Sequence, residues 1–446
     1  MNNLPKVIVF GASGFLGEHI IKSLISANWD VYAAVRTKPE SSTDRFNQTQ
    51  VTYYEGDLED QNYIQDAIAG MDAIIFSAGC TWKSDLEISE YYRRNVQITK
   101  NFFTALGDRP NVRIVYTSSM SVIAGSKSDY IFFEDSDRSQ VSQNQLSPYD
   151  LAKIECEQIA LDYAQRGNNL VVLNPGNMLG PGVFQHSKIT TSILVLWFCQ
   201  KQFPFYINGG HSYCDVRDVA KAHVAALTRG RSGDRYIVAG HNLNMASISS
   251  WLVKMTGFKM PQELPASGVY FLSLLLETLS LFSFRLFKNP YHPDFVKSFN
   301  LHYYANSQKA INELGYNVTP IETTLIDTIK YFGQRGLLSE ELNFFALMTP
   351  TNIQSLIYLR QLASQHIFSQ FALSKISQIY EIFQSNLSLN NALDNLLKYS
   401  KFNHKTGKFN PDKTKCQEEL KSINQLFEYL YFASNDFLSE VMSGGS

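Results

Sequence analysis

Apolar and polar positions fall into a recurring order along the first third of the chain. The run Lys6-Val7-Ile8-Val9-Phe10 is short and almost wholly apolar, the pattern of a buried strand. A glycine turn follows, and Glu18–Ala27 then has helical spacing. The order repeats with strands at Val31–Val35 and Val51–Glu55, a helix over Glu59–Ala69, a strand at Ala73–Ser77 and a helix over Glu87–Leu106. A strand at Arg113–Tyr116 comes next, then a helix that opens at Ser147-Pro148 and runs to about Arg166. Fully apolar strands alternating with helices predict an α/β fold with a parallel sheet covered on both faces.

The first turn, Gly11-Ala12-Ser13-Gly14-Phe15-Leu16-Gly17, spaces its glycines as G-x-x-G-x-x-G. Gly11 allows a sharp turn, Gly14 lets backbone approach a pyrophosphate, and Gly17 lets the helix pack on the strand. Phosphates would sit at the helix N-terminus, where free N–H groups and the helix dipole favour negative charge. Where a carboxylate would select the unphosphorylated ribose, at the end of the second strand, the chain has Ala33-Ala34-Val35-Arg36. A guanidinium there grips a 2′-phosphate, with Ser13 and Lys38 as further donors, so the expected cofactor is NADP(H) rather than NAD(H). Asp57, beside Leu58, can accept a hydrogen bond from the adenine amino group, cap the Glu59–Ala69 helix, or do both. The small residues Ser77-Ala78-Gly79 suit a backbone passing close to a cofactor. The segment Cys80–Leu86, with Trp82, is expected at the same rim.

Composition narrows this picture little. The 446 residues are 44% hydrophobic and 18% charged, an ordinary globular balance with length for two or three domains. The net charge of −2, without blocks of like charge, gives no sign of the basic face that nucleic acid usually needs. The five scattered cysteines imply neither a disulfide framework nor a metal site. With the first strand starting at once, no room is left for a signal peptide, and a reducing cytoplasm is the expected location. The apolar stretch at 268–287 is interrupted by Glu277, Ser and Thr. It reads as a helix packed on protein or lining a substrate tunnel, with peripheral membrane contact as the alternative.

The remaining chemistry sits at the fifth strand and the helix after it. Thr117-Ser118-Ser119 ends the strand, and Tyr149 and Lys153 lie one turn apart on one helix face. An ammonium beside a tyrosine favours the phenolate, so the pair plus a hydroxyl donor makes a proton-transfer site. Asn95, in the preceding helix, either fixes a backbone group or water near that site or lies on a solvated face.

The glycine turn, Asp57, Thr117-Ser118-Ser119 and Tyr149-x-x-x-Lys153 together resemble the extended short-chain dehydrogenase/reductase family. Later segments agree. Asn174-Pro175-Gly176-Asn177-x-x-Gly180-Pro181 is similar to the family's loop beside the nicotinamide, Asp215–His223 to a late helix start, and Ala305–Ala310 with Leu314-Gly315-Tyr316 to its closing motif. Val31–Arg36 most resembles the dihydroflavonol reductase and 3β-hydroxysteroid dehydrogenase branch. The resemblance covers about residues 4–336. It implies a Rossmann-type doubly wound parallel sheet in a domain at 1–336, with the cofactor part mainly in 1–175 and a small substrate-binding α/β lobe mainly in 176–300. It implies oxidoreduction of a ketone or secondary alcohol on a bulky apolar metabolite, with Ser119, Tyr149 and Lys153 as catalytic residues. Ser119 holds the carbonyl oxygen, Tyr149 donates the proton, and Lys153 holds the cofactor ribose. Substrate contacts are expected from Trp82, Ser121, Asn177 and His186. Asn174 stands where the family usually has Arg, and Ser77-Ala78-Gly79 replaces its usual H-x-A-A. A nucleotide-sugar epimerase that recycles NAD is the alternative, and an NADP(H)-binding sensor or scaffold without turnover a further one. Family members often form homodimers through two helices of the cofactor domain. Residues 337–446 show recurrent helical spacing and no recognisable motif. An all-α C-terminal appendage is expected there, available for docking a protein partner.

Overall fold

A computed structural model describes residues 4–38, 51–79, 88–137, 141–182, 191–282, 292–338, 342, 400–403 and 408–411. By its contacts the chain divides into two compact units. The first comprises Met1–Ile193, Phe205–Ile248 and Gln262–Thr324; the second comprises Leu194–Pro204, Ser249–Pro261 and Leu325–Ser446.

The first unit is built on seven parallel strands: β1 (Lys6–Phe10), β2 (Asp30–Val35), β3 (Val51–Glu55), β4 (Ala73–Phe76), β5 (Arg113–Thr117), β7 (Leu170–Pro175) and β11 (Arg235–Val238). Their order across the sheet is β11-β7-β5-β4-β1-β2-β3. The chain starts in the middle, winds to one edge and returns to build the other, so β1 and β4 flank the switch point. Neighbouring side chains point to opposite faces. Val7 and Val9 of β1 pack with Leu16, Ile20, Ile21 and Leu24 of α1 (Phe15–Ser26) and Val219 and Ala226 of α6 (Val216–Arg229). Ile8 and Phe10 pack with Ile64 of α2 (Gln61–Ile68), Phe102 of α3 (Ile88–Leu106) and Ala160 of α4 (Pro148–Gln165). Each such Val, Leu, Ile or Phe side chain, fully buried, contributes about 1.5–3 kcal/mol. Phe76, Phe102 and Tyr116 lock the second face, with ring centroids 4.3 Å apart for the first pair and 5.6 Å for Phe76 and Tyr116.

The strands and helices read from the sequence are present, with shifted ends. α1 begins three residues early, at Phe15. The cap of α2 is Asp60, whose carboxylate accepts from the N–H groups of Asn62 and Tyr63. Asp57 holds only the turn before it, through Glu59 N–H at 3.0 Å, which corrects the expected capping of the helix by Asp57.

A smaller sheet lies at the carboxyl side of the large one. It runs β12 (His241–Asn244), β10 (Gly210–Asp215), β14 (His302–Ala305), β6 (Ile131–Phe132), with β8 (Asn177–Leu179) also paired to β10. The chain steps between the sheets at Gly176, where a Cβ would stand 2.3 Å from the Ser212 carbonyl oxygen. The two-residue strands β9 (Phe205–Tyr206) and β13 (Gln262–Glu263) pair with each other. α8 (Ala266–Phe282), α9 (Pro293–Val296) and α10 (Gln308–Leu314) complete this unit.

Residues of α5 (Ser192–Cys199), α7 (Met245–Thr256) and α11 (Ile321–Gly333) carry the described part of the second unit, burying Leu196, Leu252 and Ile329 among others. Phe198 stacks on Phe258, and Gln200 Nε2 donates to the Leu337 carbonyl at 2.7 Å. Further on, β15 (Ser400–Asn403) and β16 (Lys408–Pro411) form an antiparallel hairpin. The expectation of an all-helical segment is therefore corrected. The helices expected elsewhere in 337–446 lie outside the described residues.

Candidate active site

The glycine turn behaves as its spacing predicts. Gly11 has φ +86°, and a Cβ there would stand 2.7 Å from the backbone of Ser77 and Ala78. A Cβ at Gly17 would meet the Gly11 carbonyl oxygen at 2.1 Å, so α1 sits directly on the turn. A Cβ at Gly14 would have only that oxygen within 4 Å, at 3.1 Å, and otherwise open space. Gly14 is the N-cap of α1 and supplies no capping side chain, so the first-turn N–H groups face that space. This cradle fits a pyrophosphate. Phe15 and Leu16 follow at the helix start, with Leu16 in the core. The Ser77 hydroxyl donates to the Phe10 carbonyl at 2.9 Å, tying the end of β4 to that of β1.

At the other edge Arg36 follows β2 with its side chain 83% exposed, 3.7 Å from Asp57 in a loose ion pair. Lys38 Nζ lies 6.0 Å over the Tyr53 ring. Two cations with little else to hold them therefore stand at the end of β2, and the Leu58 carbonyl behind them accepts from Asn101.

The proton-transfer residues come from α4 and the end of β5. Ser147 and Asp150 form a reciprocal capping box with Pro148 in the first turn, which fixes where α4 begins. Tyr149 and Lys153 are half-buried, and neither makes a hydrogen bond among the described residues. Lys153 Nζ and Asn95 Oδ1 stand 3.8 and 3.5 Å from the point a Cβ would occupy at Gly79. The ammonium thus faces the end of β4, where the chain has no side chain. Asn95 is buried, its amide donating to the Tyr91 carbonyl at 3.0 Å, which selects the first of the two readings of that residue.

The three hydroxyls that end β5 separate by environment. Thr117 Oγ1 is 2.9 Å from His223 Nε2. His223 Nδ1 lies 2.8 Å from the Val219 carbonyl, which only accepts, so Nδ1 carries the proton and Nε2 accepts from Thr117. The Thr117 side chain is therefore committed to α6. Ser118 Oγ is sealed from solvent without a partner among the described residues. Ser119 Oγ accepts from Ser121 N–H at 3.2 Å, leaving its own proton to donate.

Two further residues of the expected site are buried in the fold. Ser121 is buried with its hydroxyl sealed and meets the site only through the N–H that orients Ser119. Asn174 is fully buried, and its amide donates to the Ser119 carbonyl at 3.0 Å and to Glu157 Oε2 at 2.5 Å. It clips Ser119 to α4 instead of facing the cofactor. Pro175 ends β7, Gly176 carries the step between sheets, and half-buried Asn177 opens β8. Trp82 and His186 lie outside the described residues.

Several supporting residues gave no sign in the sequence. Glu157 is 1% exposed, held by Asn174 and by Arg235 at 3.2 Å. Asp150 accepts from Tyr303 at 3.1 Å, and burial raises its pKa. Tyr303 in turn stacks on His211, whose pKa burial pushes down to about 4. His19 Nε2 donates to the Pro181 carbonyl at 2.7 Å, joining the loop after β8 to α1. A surface depression of about 440 Å³ beside Trp29 and Arg229 lies at the far end of α1 and contains none of these groups.

Comparison with known proteins bears on this arrangement. The model of the NAD dependent epimerase/dehydratase family matches residues 7–239. A protein of Synechocystis sp. named "Putative dihydroflavonol 4-reductase" is 30% identical over 75% of this chain and 96% of its own length. "Sterol demethylase protein B" of Methylococcus capsulatus is 25% identical over 74% of this chain and 99% of its own. The crystal structure of a nucleoside-diphosphate-sugar epimerase from Pseudomonas aeruginosa shares the fold, with TM-score 0.59 and 24% identity over 75% of this chain and 99% of that one. With its glycine cradle, Ser119 after β5, and Tyr149 and Lys153 on α4, the chain belongs to the NAD dependent epimerase/dehydratase family, the extended short-chain dehydrogenases/reductases, in the dihydroflavonol reductase-like branch.

Proposed function

We propose that the protein is an NADP(H)-dependent ketoreductase acting on a ketone or secondary alcohol of a bulky, apolar metabolite. The observation that carries the reading is the Lys153 ammonium beside Gly79, with Tyr149 one turn earlier on α4 and a Ser119 hydroxyl whose proton is free to donate. The cofactor, held by the Gly11–Gly17 cradle with Arg36 and Lys38 at its 2′-phosphate, supplies a hydride when bound. Ser119 donates to the substrate carbonyl oxygen and fixes its position. Tyr149 delivers the proton to that oxygen as negative charge develops on it. Lys153 orients the ribose and stabilises the charge left on the Tyr149 phenolic oxygen. Arg36 supports NADP(H) over NAD(H), because Ala33-Ala34-Val35 at the end of β2 carry no acid for the ribose hydroxyls and the guanidinium that follows is exposed.

The alternative of a nucleotide-sugar epimerase uses the same three residues with NAD. Nicotinamide fluorescence during titration with NADPH and NADH separates the two. The ketoreductase reading expects preference for NADPH, lost in Arg36→Ala. It also expects Tyr149→Phe to bind NADPH as the parent does while failing to reduce apolar ketones that the parent accepts. NADH preference, or turnover in Tyr149→Phe, overturns it.

A further inference from the structure

Helix α8 is turned inside out. From Tyr270 onward six of its large apolar side chains point to solvent: Tyr270 39%, Phe271 63%, Leu272 53%, Leu274 41%, Leu275 47% and Leu279 61% exposed. Its inward side carries Ser273, 1% exposed, with half-buried Leu276 and half-buried Glu277, the latter 3.9 Å from His292. At about 100° per residue the exposed apolar positions span roughly 200° of the helix circumference. Thr278 falls within that arc, and its hydroxyl donates to the Leu274 carbonyl at 2.8 Å, so its polar group is satisfied within the helix. A surface helix normally buries its apolar stripe, and that stripe is about half this width.

We infer that α8 lies in a phospholipid bilayer surface, with this arc among the acyl chains and its polar side on the protein. Two observations select lipid over a second copy of the chain. A neighbouring helix covers one stripe, whereas an arc of about 200° needs a medium that closes around it. The charge of the sequence that follows the helix also fits an anionic surface. Arg285 and Lys288 follow α8 in sequence, and no acid occurs between Glu277 and Asp294. Among the described residues no helix is long and apolar enough to cross a membrane, so the contact is with one face of the bilayer.

The test is co-sedimentation of the full chain with phosphatidylcholine vesicles, with and without phosphatidylserine, alongside sedimentation velocity without lipid. The parent is expected to pellet with vesicles, more strongly when phosphatidylserine is present. The triple variant Phe271→Ser, Leu275→Ser, Leu279→Ser is expected to lose at least about tenfold in vesicle affinity. Unchanged NADPH titration of the variant shows that it is folded, since none of the three residues touches the cofactor cradle. A parent that stays in the supernatant overturns the inference. So does equal pelleting by the variant, or a lipid-independent dimer that the variant dissociates.

Discussion

Gly14 and Gly17 belong to one motif, yet the structure gives them separable consequences. A methyl at Gly17 would stand 2.1 Å from the Gly11 carbonyl oxygen and 2.9 Å from Ala12 Cα, both backbone atoms. Ordinary contact requires α1 to retreat by roughly 1 Å from the turn. The same helix seats Leu16, Ile20, Ile21 and Leu24 in the core, so the strain spreads through that face. Overpacking of this kind costs about 3 kcal/mol, and for a domain of this size the melting temperature falls by roughly 6–12 °C. A methyl at Gly14 meets one oxygen at 3.1 Å and is otherwise in open space. The loss of stability there is that of alanine at an N-cap, about 0.5–1 kcal/mol. That open space is where the pyrophosphate approaches, so the methyl displaces it from the first-turn N–H groups. A loss of about 1.4 kcal/mol is tenfold in affinity, the least expected for Gly14→Ala. Thermal melting with NADPH titration by fluorescence reads both quantities. The reasoning fails if Gly14→Ala binds NADPH as tightly as the parent, or if Gly17→Ala melts with it.

Two further predictions concern the supports of the site. Burial pushes the His223 pKa down to about 4 from its ordinary 6.5, so the folded protein holds this ring neutral. A lowered folded-state pKa means that its stability is complete above pH 6.5 and is lost as the pH falls toward 4. The loss is about 2 kcal/mol by pH 5. His223→Gln should flatten the fall in melting temperature between pH 7 and 5, leaving a remainder from His211, which is lowered in the same sense; an unchanged slope in the variant would refute this. Asn174→Leu removes both amide donations, leaving Glu157 with Arg235 alone and the Ser119 carbonyl without that partner. The expected loss is about 2 kcal/mol of stability and at least tenfold in turnover of any accepted ketone, with NADPH affinity retained. Full turnover in Asn174→Leu would show that Ser119 does not depend on the clip.

The sequence exposes what is local. Strands such as Val7–Phe10 and Ala73–Phe76 are apolar throughout because helices cover both their faces, and that pattern needs no knowledge of partners. The roles of Gly11 and Gly17 follow from spacing alone, as does the shared face of Tyr149 and Lys153. What stays hidden depends on distant groups. Glu157 follows Glu155 and precedes Gln158 on α4, and only folding against Asn174 and Arg235 sets it apart. Three acids, Asp57, Glu59 and Asp60, crowd the start of α2. The cap is the one that reaches Asn62 and Tyr63, a matter of one turn's geometry. Strands of two residues, β6, β9 and β13, are too short to show a period. For α8, periodicity marks a face without saying which way it points.

The small sheet is assembled from segments far apart in the chain, and this orders its formation during synthesis. β6 is made at residue 131, yet its partner β14 appears only at 302, after β10 and β12 have already paired. Between the end of β12 and the end of β14 the ribosome adds about 60 residues, roughly 3–12 s at ordinary elongation rates. Throughout that interval the large sheet has all seven strands, while one edge of β10 waits open. The nascent chain has therefore completed the sheet that carries its glycine cradle before the small sheet closes. Ligand-assisted maturation would begin at the glycine turn, and a slowly translated or truncated product would be vulnerable at the edge of β10.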